Sequence, residues 1–105
     1  MTKEAELMLS CIYKEYLQRI SVSPDDSSVN FFKAEFLTSN ENLVKIPSGI
    51  ISKVRNELIS KGYLKAYMSQ NFELTSDGIV YMQKLFKNNI IDVTKFIVET
   101  LSSII

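Results

Sequence analysis

Ser48, Gly49, Ser52, Lys53 and Asn56 fall within three turns of a helical register, and Lys45, Lys61 and Lys65 surround them. These side chains offer hydrogen-bond donors and acceptors and positive charge, the chemistry of holding a polar or anionic surface. They are poorly suited to covalent chemistry. The chain has no histidine, which removes the commonest general base and the commonest metal ligand. Its single cysteine, Cys11, cannot form an intrachain disulfide or a multi-cysteine metal site, and scattered carboxylates do not assemble a zinc site. Three glycines, Gly49, Gly62 and Gly78, read as a helix start, a helix stop and a helix first turn rather than as a phosphate loop. No serine sits in a Gly-x-Ser-x-Gly elbow. The expectation is therefore a binding protein with no catalytic residues, no metal and no cofactor.

Charge is segregated along the chain. Formal net charge is zero, with 12 basic and 12 acidic side chains, which argues against indiscriminate attraction to polyanions. Yet residues 43–70 carry Lys45, Lys53, Arg55, Lys61 and Lys65 against Glu57 alone, whereas the flanking segments are both net acidic. The positive excess thus coincides with the candidate contact residues.

The elements that would position them follow from periodicity. Ile51, Val54 and Leu58 recur at i, i+3 and i+7, with Ile50 and Ile59 widening the stripe, so a helix over residues 48–61 would bury that face and expose the opposite one. Lys61-Gly62 ends it, since glycine takes the left-handed conformation without a Cβ penalty. Residues 63–68 and 72–74 alternate as two strands of a hairpin, and Thr75 can cap a further helix over residues 76–87 through the amides of Asp77 or Gly78. Upstream, a helix over about residues 4–20 buries Ala5, Met8, Leu9, Ile12, Tyr16 and Leu17. Residues 21–28 (SVSPDDSS) form a loop, with the option of a short strand closing the sheet. Val29, Phe32 and Phe36 fit a helix capped by Ser27 or Ser28; alternatively Val29 to Phe32 is a strand and the helix starts near Lys33. A last helix from Ile90 to Ser103 or beyond is apolar over an arc of about 220° at 100° per residue, through Ile90, Ile91, Val93, Phe96, Ile97, Val98, Leu101, Ile104 and Ile105. That is wider than one core needs, and it suggests a second copy of the chain as partner, through Ile90, Val93, Phe96, Ile97, Leu101 and Ile104. The alternative is that this helix packs within its own domain.

The order helix, glycine, aliphatic pair, hairpin, Leu-Thr-x-x-Gly, helix resembles the winged helix-turn-helix. The residues that carry the likeness are Ile51, Val54, Leu58, Gly62, Tyr63 and Leu64, then Phe72, Glu73, Leu74, Thr75 and Gly78. It covers about residues 4–87 and extends to small bacterial regulators of the multiple-antibiotic-resistance and phenolic-acid types. The phage-associated YjcQ family is similar in size and in its Leu-Thr-x-x-Gly-x-x-Tyr run, matched by Leu74, Thr75, Gly78 and Tyr81. The resemblance implies a mainly α, α+β single domain over residues 1–105: a winged helix with an added C-terminal helix, residues 88–105, as dimerisation element.

Its functional implication is a sequence-specific regulator of bacterial, phage or plasmid origin that binds double-stranded DNA as a homodimer. Residues 48–61 would enter the major groove, Ser48, Ser52, Lys53 and Asn56 facing the base edges and Lys45, Lys61 and Lys65 the phosphates. The hairpin turn near Ser69-Gln70-Asn71 lacks a basic tip, which disfavours minor-groove reading. The rival expectation is a protein-interaction module on the same fold. The N-terminus lacks a signal-peptide core and no window reaches the roughly 20 apolar residues of a membrane span, so a cytoplasmic address is expected.

Overall fold

A computed structural model describes residues 1–104. Five helices and one small sheet follow in the order α1 (Lys3–Val22), β1 (Phe31–Phe32), α2 (Glu35–Ser39), a 3₁₀ turn (Leu43–Lys45), α3 (Ser48–Ser60), β2 (Leu64–Ala66), β3 (Phe72–Leu74), α4 (Ser76–Phe86) and α5 (Ile90–Ile104). The molecule is thus mainly helical with a three-stranded antiparallel sheet.

Helix α1 is the centre. The Thr2 side chain caps it by accepting from the Ala5 amide at 3.1 Å, and Glu4 and Glu6 lie in its first turn, where the helix dipole favours them. From Leu7 to Tyr13 every side chain is buried, because α1 meets α5, α3 and α4 on different sides. An amphipathic stripe understates such a helix: Leu7, Ser10 and Tyr13 are buried as well as most of the expected apolar set, of which Tyr16 is only half-buried.

The sheet order is β1-β3-β2, with Phe32 opposite Phe72, and Leu64 opposite Leu74. Phe32 and Phe72 stack with ring centroids 5.3 Å apart, and the Arg19 guanidinium lies 4.2 Å above the Phe32 ring. Arg19 also donates to the carbonyls of Val29 and Phe31 and pairs with Glu15 at 3.0 Å, tying β1 to the end of α1. These facts correct two expectations. Residues 29–32 do not begin a helix; the alternative reading holds, with a strand at Phe31–Phe32 and a helix from Glu35. The strand that completes the sheet lies there and not in the exposed residues 21–28, the first two of which end α1.

The end of α3 and the start of α4 form one bonded unit. Gly62 has φ 81°, the left-handed conformation expected of a helix stop. The Thr75 hydroxyl donates to the Gly62 carbonyl at 2.6 Å and accepts from the Gly78 amide at 3.1 Å. Gly78 packs so closely that a Cβ built there would stand 2.6 Å from the Tyr63 carbonyl oxygen. The Leu-Thr-x-x-Gly run therefore has a physical cause: a cap that bridges two elements, and a helix start pressed on backbone.

Helix α5 packs on α1 and α4 of the same chain. Val93, Ile97 and Leu101 are buried in this core, Phe96 meets Phe86 at 5.4 Å, and Ile90 and Ile104 are half-buried against it. Much of the apolar surface of Ile90, Val93, Phe96, Ile97, Leu101 and Ile104, the residues expected at a contact with a second copy, is thus used within the protomer. Ile91 and Val98 are what remains outward, 77% and 58% exposed. Ile105 lies outside the described residues. Among the described residues no helix is long and apolar enough to cross a membrane.

Candidate nucleic-acid interface

The apolar stripe of α3 works as its spacing requires. Ile51, Val54 and Leu58 are buried, and Ser48, Gly49, Ser52, Lys53 and Asn56 are all exposed. On a helical wheel Gly49 and Asn56 lie almost opposite the centre of the buried stripe, with Ser52 and Lys53 to either side. Pro47 precedes the helix and no side chain caps it. The first-turn amides and the positive end of the dipole are therefore presented beside exposed Ser48 and Gly49.

Four lysines frame this face. Lys45 closes the 3₁₀ turn just before α3, Lys53 lies on it, Lys61 follows its last turn, and Lys65 is on β2. Helix rise puts Lys45 and Lys61 some 20 Å apart, at opposite ends of the helix. All four are exposed, and none is in a salt bridge among the described residues. Lys65 is not wholly uncommitted, since its ammonium lies 5.4 Å from the Tyr67 ring and its strand neighbour is Glu73. The Tyr67 hydroxyl donates to Glu73 at 2.6 Å, a bond to the carboxylate that raises the phenol above its ordinary value.

Between α2, the 3₁₀ turn and α3 runs a shallow cleft of about 410 Å³, where Ser48 and Ser52 meet Thr38, Val44 and Pro47 over a floor of Leu37, Leu43, Ile46 and Ile51. Val44 and Ile50 are exposed apolar residues at this end of the helix. Ile50, read as widening the buried stripe, thus lies largely outside it, while Val44 had no sequence signal of its own.

The hairpin beyond β2 closes in a tight turn, Met68 to Asn71, with the Asn71 amide donating to the Met68 carbonyl and the Tyr67 amide to the Asn71 carbonyl. Its central residues, Ser69 and Gln70, have φ 60° and 65°, as a type I′ turn needs, yet neither is glycine, asparagine or aspartate. Arg55 reaches this turn from α3. Its Nη2 donates to the carbonyls of Gln70 at 3.2 Å and Asn71 at 3.4 Å. These partners are backbone oxygens, which no pattern of side chains announces.

Other expected chemistry is accounted for structurally. Cys11 is buried, and desolvation pushes its thiol up to about 12, with Lys14 opposing weakly. No cluster of three or more histidine, cysteine, aspartate or glutamate side chains suited to a metal exists among the described residues. Comparison of the chain with known protein families, with curated proteins and with solved structures finds no match.

Proposed function

We propose that this chain is a winged helix-turn-helix protein that binds double-stranded DNA, with α3 in the major groove and the β2–β3 hairpin as its wing. The element order α1-β1-α2-α3-β2-β3 and the sheet order β1-β3-β2 support the winged form, in which a short strand ahead of the helix pair joins the hairpin. The observation that carries the reading is the outward face of α3: an uncapped helix start with small or polar exposed residues, framed by lysines that no carboxylate pairs. Lys53 can donate to guanine or to phosphate, and Asn56 can pair with an adenine edge. Lys45, Lys61 and Lys65 take the backbone.

A specific set of observations favours a second reading, a protein-interaction module. Net charge is zero, and exposed Val44, Ile50 and Met68 border the same face. Fluorescence anisotropy with duplexes selected from a random pool, titrated with salt, separates the two. On the DNA reading Asn56→Ala costs about 1–3 kcal/mol at one base position, whereas Lys61→Ala weakens all sequences alike and lowers the salt slope by about one. Absence of selective duplex binding near physiological salt refutes it in favour of the protein module.

A further inference from the structure

The turn at Met68–Asn71 and the position of Arg55 are two halves of one device. A type I′ turn asks both central residues to adopt positive φ, which glycine or asparagine does readily and serine or glutamine does not. Here Ser69 and Gln70 both do so, in a hairpin whose strands are only three residues long. Something outside the hairpin must keep it there. Two tethers reach it from the helical layer. The Asn71 side-chain oxygen accepts from the Ala34 amide at the start of α2, at 3.0 Å. The half-buried Arg55 guanidinium donates from a single nitrogen, Nη2, to the carbonyls of Gln70 and Asn71. Arg55 Nε is buried, with no hydrogen-bond partner among the described residues.

We propose that Arg55 is a positioning residue that holds the strained turn against α3, so that the hairpin tip and the outward face of α3 meet a partner as one rigid surface. Arg55 adjoins Asn56, so the clamp ties the tip to the very turn of helix that carries that side chain. The proposal rests on the DNA-binding reading for its functional half, while its structural half concerns the free protein alone.

Two amides report the turn directly, those of Tyr67 and Asn71, whose acceptors are the Asn71 and Met68 carbonyls. In the free protein, hydrogen exchange by NMR should show Arg55→Ala lowering protection at both by roughly tenfold or more, with the amides of α1 unchanged, since local opening draws on local stability. Gln70→Gly removes the unfavourable φ by another route, so the double variant Arg55→Ala/Gln70→Gly should regain a large part of that protection. The glycine acts on the backbone of residue 70 alone and adds no side-chain contact, so its rescue ties the loss to the unfavourable φ of the turn. Anisotropy on a selected duplex should follow the same order, with affinity reduced in Arg55→Ala and partly restored in the double variant. Unchanged protection in Arg55→Ala overturns the clamp. Lost protection with unaltered duplex affinity overturns the single rigid surface. If the parent protein binds no duplex while protection follows the expected order, the DNA reading falls and the clamp stands.

Discussion

Adding one methyl group to Gly78 should destabilise the protein, although the same change in an ordinary helix is favourable. Alanine is the better helix former by about 1 kcal/mol, so Gly→Ala within a helix generally raises stability. At Gly78 the new Cβ would sit 2.6 Å from the Tyr63 carbonyl oxygen and 2.9 Å from Leu74 Cδ1. The leucine terminus can rotate away; the carbonyl cannot, because it accepts the Thr75 amide at 3.1 Å. Relief therefore requires α4 to move off the α3–β2 turn, and overpacking of this kind costs about 1–3 kcal/mol. The shift also strains the two bonds of the Thr75 hydroxyl, a cap whose loss is worth about 1 kcal/mol. The net expectation for Gly78→Ala is a loss of about 1–3 kcal/mol, or about 5–15 °C in melting temperature for a domain of this size. Gly49 is the internal control. It too lies in a helix first turn, but nothing stands within 4 Å of a Cβ built there. Gly49→Ala should gain about 0.4–1 kcal/mol. Thermal and urea unfolding followed by circular dichroism reads both. A Gly78→Ala protein that melts at or above the parent would refute the argument, since α4 would then have room the close approach denies it.

Two further outcomes follow from groups already described. Thr75→Val keeps the shape and removes both hydroxyl bonds, so it should cost about 1–3 kcal/mol in urea unfolding, while Thr75→Ser should retain most of the parent's stability. Cys11 should resist thiol reagents in the native protein at neutral pH and react on unfolding. Because its folded value of about 12 exceeds the ordinary 9.0, the unfolded chain ionises first, so stability should be level below pH 9 and decline as pH climbs from 9 towards 12.

The parts of this molecule that could be read from sequence are those whose cause is local. Helix α3 was legible because its stripe, its glycine stop and the Thr75 cap all lie within one continuous segment, and the outward position of Ser52, Lys53 and Asn56 followed from that stripe. Strand β1 was legible only as one of two alternatives, because Phe31 and Phe32 are made a strand by pairing with Glu73 and Phe72, far along the chain, and local spacing with Phe36 suits a helix equally well. The apolar arc of α5 was visible, but its destination was not. Periodicity measures how much surface must be covered and says nothing of whether the cover comes from the same chain. Arg55 illustrates the third kind of gap, since backbone carbonyls as partners leave no trace in residue types.

The pairing of α1 with α5 also has a kinetic consequence. Helix α1 finds its broadest partner in α5, so the central core cannot close until residues 90–104 have followed α1 out. Bringing those two helices together costs loop-closure entropy before the contact returns anything, which is the condition that slows folding in proteins rich in non-local contacts. On the ribosome, the side of α1 that meets α5 would wait uncovered while the strands and α3 emerge, a window in which a holding chaperone or a neighbouring chain competes for it.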